Sequence, residues 1–164
     1  MIKVVLDAMG GDHAPQAPCE GAIAALRADR DLTVILAGDP KVIAPLIKDA
    51  QDVRDRLQVL DAPEMISNHE SPAMAIRQKK NSAIVRGMLM VREKEADGFV
   101  SAGSTGAVLV GGMLRLGRIP GIERPALAPL LPGRKGHFLL IDCGANVDCK
   151  PEYLAQFGLM GDAF

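Results

Sequence analysis

The stretch "IKVVLDAMGGDHAPQAPCEGAIAAL", residues 2–26, frames the reading of the whole chain. It opens on a short β-branched run, IKVVLD (2–7), which has the composition of a buried strand. It closes on Cys19, Ala22, Ile23 and Leu26, which fall at i, i+3, i+4 and i+7, the stripe of an amphipathic helix. Between them lie Asp7, the adjacent Gly10 and Gly11, Asp12, His13, and prolines at 15 and 18. A strand that leads to a helix through small and polar residues is the first half of a parallel crossover. Its loop falls where open α/β sheets bind ligands.

The alternation continues outward. TVILAG (33–38) reads as a second buried strand, and Val42, Ile43, Leu46 and Ile47 mark a second helix that Pro45 shortens or bends. LQVLDAP (57–63) predicts a third strand. After the polar loop EMISNHESP (64–72), a long helical segment interrupted near Asn81 carries Ile84, Val85, Met88 and Leu89 on one face. GFVSAG (98–103) predicts a fourth strand. Residues 104–116 predict a helix with Val108, Leu109, Gly112, Met113 and Leu116 inward, its glycines bringing it close to the sheet. GRIPGIERPALAPLLPGRKG (117–136) reads as a shaped connector with one short strand at 126–130. HFLLIDCG (137–144) predicts another buried strand, and a helix starts near Lys150. Strand–helix alternation predicts an α/β fold: a doubly wound, mostly parallel sheet with helices on both faces. Residues 1–164 are expected to form one domain, and YLAQFGLMGDAF (153–164), which stops in or just after an amphipathic helix, reads as the close of the first part of a longer protein.

Composition narrows the functional classes. Apolar residues make up 48% of the chain but aromatics only 3%, so the core must be Val, Ile, Leu, Ala and Met. A net charge of −1 supplies no general attraction for nucleic acid, and any anion site must be local. Cys19, Cys143 and Cys149 match no zinc spacing and leave one thiol over in any disulfide scheme. Reduced thiols in a cytoplasmic protein are the simplest expectation. No apolar run approaches the ~20 residues that span a bilayer.

Four polar segments follow strands: DAMGGDHAP, NHESP, SAGSTGA and DCGANVDCK. In the third, Gly103 and Gly106 flank Ser104 and Thr105 at a strand-to-helix turn. Small residues admit a ligand to the backbone, and the amides of a first helical turn suit phosphate. The plain alternative is an ordinary helix N-cap in a tight turn. Arg77, Lys79 and Lys80 either add positive charge to such a site or form a solvated basic face. His13 and His69 are acid–base candidates or simple surface residues. Asp7, Asp12, Asp142 and Asp148 are expected to orient loop amides or cap helices rather than hold a metal, and no cofactor is expected.

DAMGGDHAP, RQKKNSA, SAGSTGA, GRIPGIERPALAP and DCGANVDCKPEYLAQF occur in this order. Together they resemble the bacterial phosphate acyltransferases of phospholipid synthesis. The resemblance implies a fold similar to phosphate acetyltransferases and isopropylmalate dehydrogenases. It implies transfer of a fatty acyl group from acyl carrier protein to inorganic phosphate. The acyl phosphate then feeds a membrane acyltransferase that acylates glycerol 3-phosphate. It further implies a cytoplasmic homodimer, peripheral at the membrane, and a family chain about twice this length. The chemistry assigns Ser104, Thr105 and Gly106, with Gly103, to phosphate, and Lys79 or Lys80 to added charge. Gly10 and Gly11 would let substrate reach the backbone, Asp12 and His13 would fix the loop or move a proton, and Asp7 would brace the turn. Asn146 and Lys150 are secondary binding candidates. Two other readings stay open: an oxidoreductase of the isopropylmalate dehydrogenase type, and a docking module for acidic acyl carrier protein built on Arg77, Lys79 and Lys80.

Overall fold

A computed structural model describes residues 1–164, which group into two compact units, Met1–Leu116 and Gly117–Phe164. The first unit is built on four parallel strands: β1 (Ile2–Asp7), β2 (Leu32–Gly38), β3 (Leu57–Asp61) and β4 (Gly98–Val100), in the order β3-β2-β1-β4. A strand in the middle of a parallel sheet is buried on both faces, so each alternate set of side chains must be apolar. β2 shows this directly. Val34 and Leu36 join Cys19, Ala22 and Leu26 of α1 (Gln16–Ala28) and Ile43 of α2 (Pro40–Ile47). Ile35 and Ala37 face the other way, with Val5 of β1 and Ala83 of α4 (Ala83–Arg92). Helices therefore cover both faces, as the alternation of the sequence predicts. A third cluster joins Ile76 of α3 (Pro72–Gln78), Ile84 and Met88 of α4, and Ala107 of α5 (Thr105–Gly111).

Local chemistry sets the boundaries. The Asp39 carboxylate accepts the Lys41 N–H at 2.9 Å, with Pro40 at the first position of α2. Ser82 Oγ accepts the Val85 N–H and opens α4, so the interruption expected near Asn81 separates two real helices. The end of α1 has no glycine cap. Instead Arg56, closing a 3-10 turn at Gln51–Arg56, donates to the carbonyls of Leu26 (2.7 Å), Asp29 (2.7 Å) and Leu32 (3.1 Å). One guanidinium thus satisfies carbonyls that the helix leaves open and ties the turn to the start of β2.

Two expectations are corrected. The glycines of 104–116 do not bring that helix onto the sheet. Gly111 sits against Met88, Ile84 and Ile76, so α5 packs on α3 and α4, and its last residues, Gly112–Leu116, open into a π-helical turn with Leu116 exposed. Residues 137–144 are not a buried parallel strand. In the second unit β5 (Leu130–Gly133) and β6 (Gly136–Leu139) form an antiparallel hairpin, mostly exposed. Only Arg134 and Lys135 separate them, far too short a link for a parallel crossover, and Gly136 adopts the φ of +127° that this turn requires. The short strand expected at 126–130 begins at Leu130. α6 (Pro151–Ala163) follows, as expected, and buries Phe157.

Candidate active site

β1 and β4 lie side by side, with Leu6 opposite Val100. The next residues, Asp7 and Ser101, are therefore at the same height on the carboxyl edge of the sheet. Ser101 Oγ donates to Asp7 Oδ2 at 2.8 Å, and Asp7 Oδ1 accepts the Met9 N–H at 3.1 Å. Ser101 Oγ in turn accepts the Gly103 N–H at 3.0 Å. Asp7 is only 4% exposed. Burial pushes its carboxyl pKa up, against hydrogen bonds from Ser101, Met9 and Gly10 that hold it down, and burial wins. The carboxyl thus fastens the loop after β1 to the loop after β4.

The two loops touch through glycine. A Cβ on Gly10 would lie 2.5 Å from Asp7 Oδ2 and 3.0 Å from the Gly103 nitrogen. Gly11 has φ of +104° and leaves a side chain only 3.1 Å from Ala102 Cβ. Any larger residue at position 10 would push the loops apart.

Beside this contact is a cleft of about 480 Å³, within the range of small-molecule sites. Asp7, Gly10, Gly11, Asp12, His13, Ser101 and Ala102 line one part of it, and Leu6, Ala14, Ala17, Pro18 and Val100 line the rest. Asp12 and His13 are exposed. Residues 10–13 line this cleft together, whereas residues 103–106, expected to share it with them, are not among its lining residues, and of these Gly103 approaches Gly10 from the neighbouring loop.

The other predicted residues are placed differently. Ser104 accepts the Ala107 N–H at 3.3 Å, so its side chain serves as the N-cap of α5. Thr105 is exposed, and a Cβ on Gly106 would lie 2.9 Å from Pro72 Cγ, which makes Gly106 the contact point of α5 with α3. Lys79 Nζ is 2.6 Å from Glu70 Oε2 and donates to the Met65 carbonyl at 2.5 Å, so its charge is already matched. That pair holds the Glu70 carboxyl below the usual range, chiefly through the Lys79 hydrogen bond. Lys80 is exposed. Within the second unit, Asn146 donates to Asp142 Oδ2 (3.0 Å) and to the Pro125 carbonyl (3.1 Å), organising the 142–146 turn. Burial raises the Asp142 pKa, but donors from Leu127, Asn146 and Ala145 outweigh it and the net direction is down. Lys150 precedes α6, with Nζ 5.9 Å from the centre of the Tyr153 ring.

Ser101 was not singled out by the sequence reading. Its signal was nonetheless present: it stands directly after the β4 run, as Asp7 closes the β1 run, and adjacent parallel strands put such positions together.

Among solved structures, the chain superposes on a phosphotransacetylase from Streptococcus pyogenes with a TM-score of 0.66 at 18% identity, covering 96% of this chain and 51% of that one. The EutD phosphotransacetylase of Staphylococcus aureus gives a TM-score of 0.65 at 20% identity, over 94% and 50% of the two chains. These superpositions place the molecule among α/β proteins of the phosphotransacetylase fold. The match of a family model over residues 2–164 is more specific: the chain belongs to the fatty acid synthesis protein family. A phosphate acyltransferase of Clostridium novyi (strain NT) is 45% identical over 163 residues, 99% of this chain and 49% of that protein. One from Clostridium kluyveri is 48% identical over 161 residues, 98% and 48% of the two. The chain spans about half the length of the curated relatives it matches.

Proposed function

We propose that the protein carrying this chain transfers a fatty acyl group from an acyl-carrier-protein thioester to inorganic phosphate. One observation carries the reading: two glycine-containing loops meet beside a buried carboxyl at the carboxyl edge of the sheet, next to a cleft lined by both polar and apolar residues. Family membership and the names of the relatives support it.

The chemistry needs little from side chains. Phosphate is an anionic nucleophile near neutral pH, and a thioester carbonyl is electrophilic. A phosphate oxygen attacks the carbonyl carbon, the new C–O bond forms, the C–S bond breaks, and the thiolate leaves and takes up a proton. The products are acyl phosphate and the free carrier thiol. Positioning and stabilisation of the developing oxyanion supply the catalysis. Gly10 and Gly11 expose backbone to the substrate, Asp12 and His13 stand where a proton to the thiolate can be handled, and Asp7 holds the loops in place. Gly103, Ser104, Thr105 and Gly106 take the phosphate with the charge of Lys80, or of Lys79 if it leaves its pair with Glu70. Asn146 and Lys150 are secondary binding residues. The acyl phosphate would serve a membrane acyltransferase acting on glycerol 3-phosphate, with the protein a cytoplasmic homodimer at the membrane surface. No helix of the chain is long and apolar enough to cross a membrane.

The test is trapping with hydroxylamine. The whole protein, given acyl-acyl-carrier-protein and phosphate, should yield acyl hydroxamate in proportion to phosphate. The double substitution Ser104→Ala, Thr105→Ala should raise the KM for phosphate about tenfold, roughly 1.4 kcal/mol of binding. Hydroxamate formation independent of phosphate overturns the function, and an unchanged phosphate KM overturns the assignment of residues 104 and 105.

A further inference from the structure

The apolar wall of the cleft has a definite origin. Leu6 and Val100 are register partners on adjacent parallel strands, so their side chains share one face of the sheet. Leu6 packs against the α1 side of the core, whereas Val100 is 52% exposed. In the same cleft, Ala14 and Pro18 are half-buried and Ala17 is exposed at the start of α1. Leu6, Ala14, Ala17, Pro18 and Val100 thus form the apolar trough of a cleft that the polar loop Gly10–His13 also lines.

From this juxtaposition we infer that the trough receives the first carbons of the acyl chain, and that Ala17 and Val100 set how much chain it accepts. The inference rests on acyl transfer at this cleft. A thioester has one polar, reacting end joined to an alkyl tail, and the cleft combines glycine-lined polar residues with apolar ones. Placing the carbonyl at the loop puts the tail between Ala17 and Val100. An alkyl methylene moved from water into such a trough strengthens binding about fourfold. A small residue at position 17 keeps the trough open, and a bulky one would close it.

The experiment uses the whole protein and unreactive S-alkyl pantetheine thioethers with butyl, hexyl and octyl chains, titrated by calorimetry. The octyl probe should bind at least about tenfold more tightly than the butyl probe. Ala17→Phe, which fills the trough, and Val100→Asp, which charges it, should each reduce that octyl-to-butyl ratio by about tenfold. Ala24→Phe, on the exposed outer side of α1, should keep the wild-type ratio. No dependence on chain length in the wild type, or a wild-type ratio in both trough variants, overturns the assignment. If the ratios behave as stated while no acyl phosphate forms, the trough stands and the transfer reading falls. If acyl phosphate forms while the ratios are flat, the reverse holds.

Discussion

Ser101 Oγ donates to Asp7 Oδ2 across 94 positions of sequence, and this 2.8 Å contact joins the ends of β1 and β4. Because the acceptor is buried, loss of the donor leaves a carboxyl with fewer partners in poor solvent. A double-mutant cycle of Asp7→Asn and Ser101→Ala, read by urea unfolding, should give a coupling of about 1–3 kcal/mol. Strict additivity would show that the contact contributes nothing.

The same carboxyl sets a pH dependence. Burial raises the Asp7 pKa in the folded state, so the folded chain holds that proton more tightly than the unfolded chain. The associated stability is complete below the unfolded pKa and is lost as pH climbs through the folded one. The stability of the wild type relative to Asp7→Asn should therefore decline as pH rises from about 4 toward 7. Paired urea midpoints across that range check the sign, and a rising difference refutes it.

Glycine-to-alanine substitutions should act with opposite signs at two sites. At Gly10 the new methyl meets the Asp7 carboxyl and the Gly103 backbone, so Gly10→Ala should cost about 2 kcal/mol or more and abolish the proposed acyl transfer. At Gly21, inside α1, nothing lies within 4 Å. Gly21→Ala should stabilise by about 0.5–1 kcal/mol through helix propensity. Thermal melting of both variants tests the contrast.

Arg56 binds the carbonyls of Leu26 and Asp29 at the end of α1 and of Leu32 at the start of β2. Arg56→Met keeps the apolar stem but strands those acceptors, and should lower stability by about 2 kcal/mol. Arg56→Lys should recover less than half of the loss, because a point charge cannot reproduce the planar fork. Full recovery by lysine, measured by urea unfolding, would contradict the geometry.

Thiol reagents should discriminate among the cysteines. Cys143 is exposed, whereas Cys19 is fully buried in α1, and burial pushes its thiol pKa up, with the Glu20 charge adding to the effect. Cys143 should label at once in native buffer, and Cys19 only at the rate of unfolding. Mass spectrometry of partially labelled protein would show the order.

The four parallel strands were legible because β-branched runs alternate with helical stripes, and burial on both faces leaves a continuous apolar signature in IKVVLD and TVILAG. The hairpin was not, since HFLLID has the same composition as a buried strand. What decides it is the two-residue link at Arg134–Lys135, a matter of loop length rather than hydropathy. At the site, Gly10, Gly11 and Gly103 read in the sequence as openings for a ligand to the backbone; what they show in the structure is the close approach of the two loops to each other. The cap made by Ser104 is one of the two readings its strand-to-helix position allows, whereas the pairing of Lys79 with Glu70 could not be read, because an ammonium partner is chosen by tertiary neighbours.

The contact of Gly10 with Gly103 means that neither loop can loosen alone. Their amide protons should exchange with deuterium as one cooperative unit, at a common opening rate. A molecule that grips only one of the loops would then slow exchange in both, and protection would reach a segment the ligand never touches.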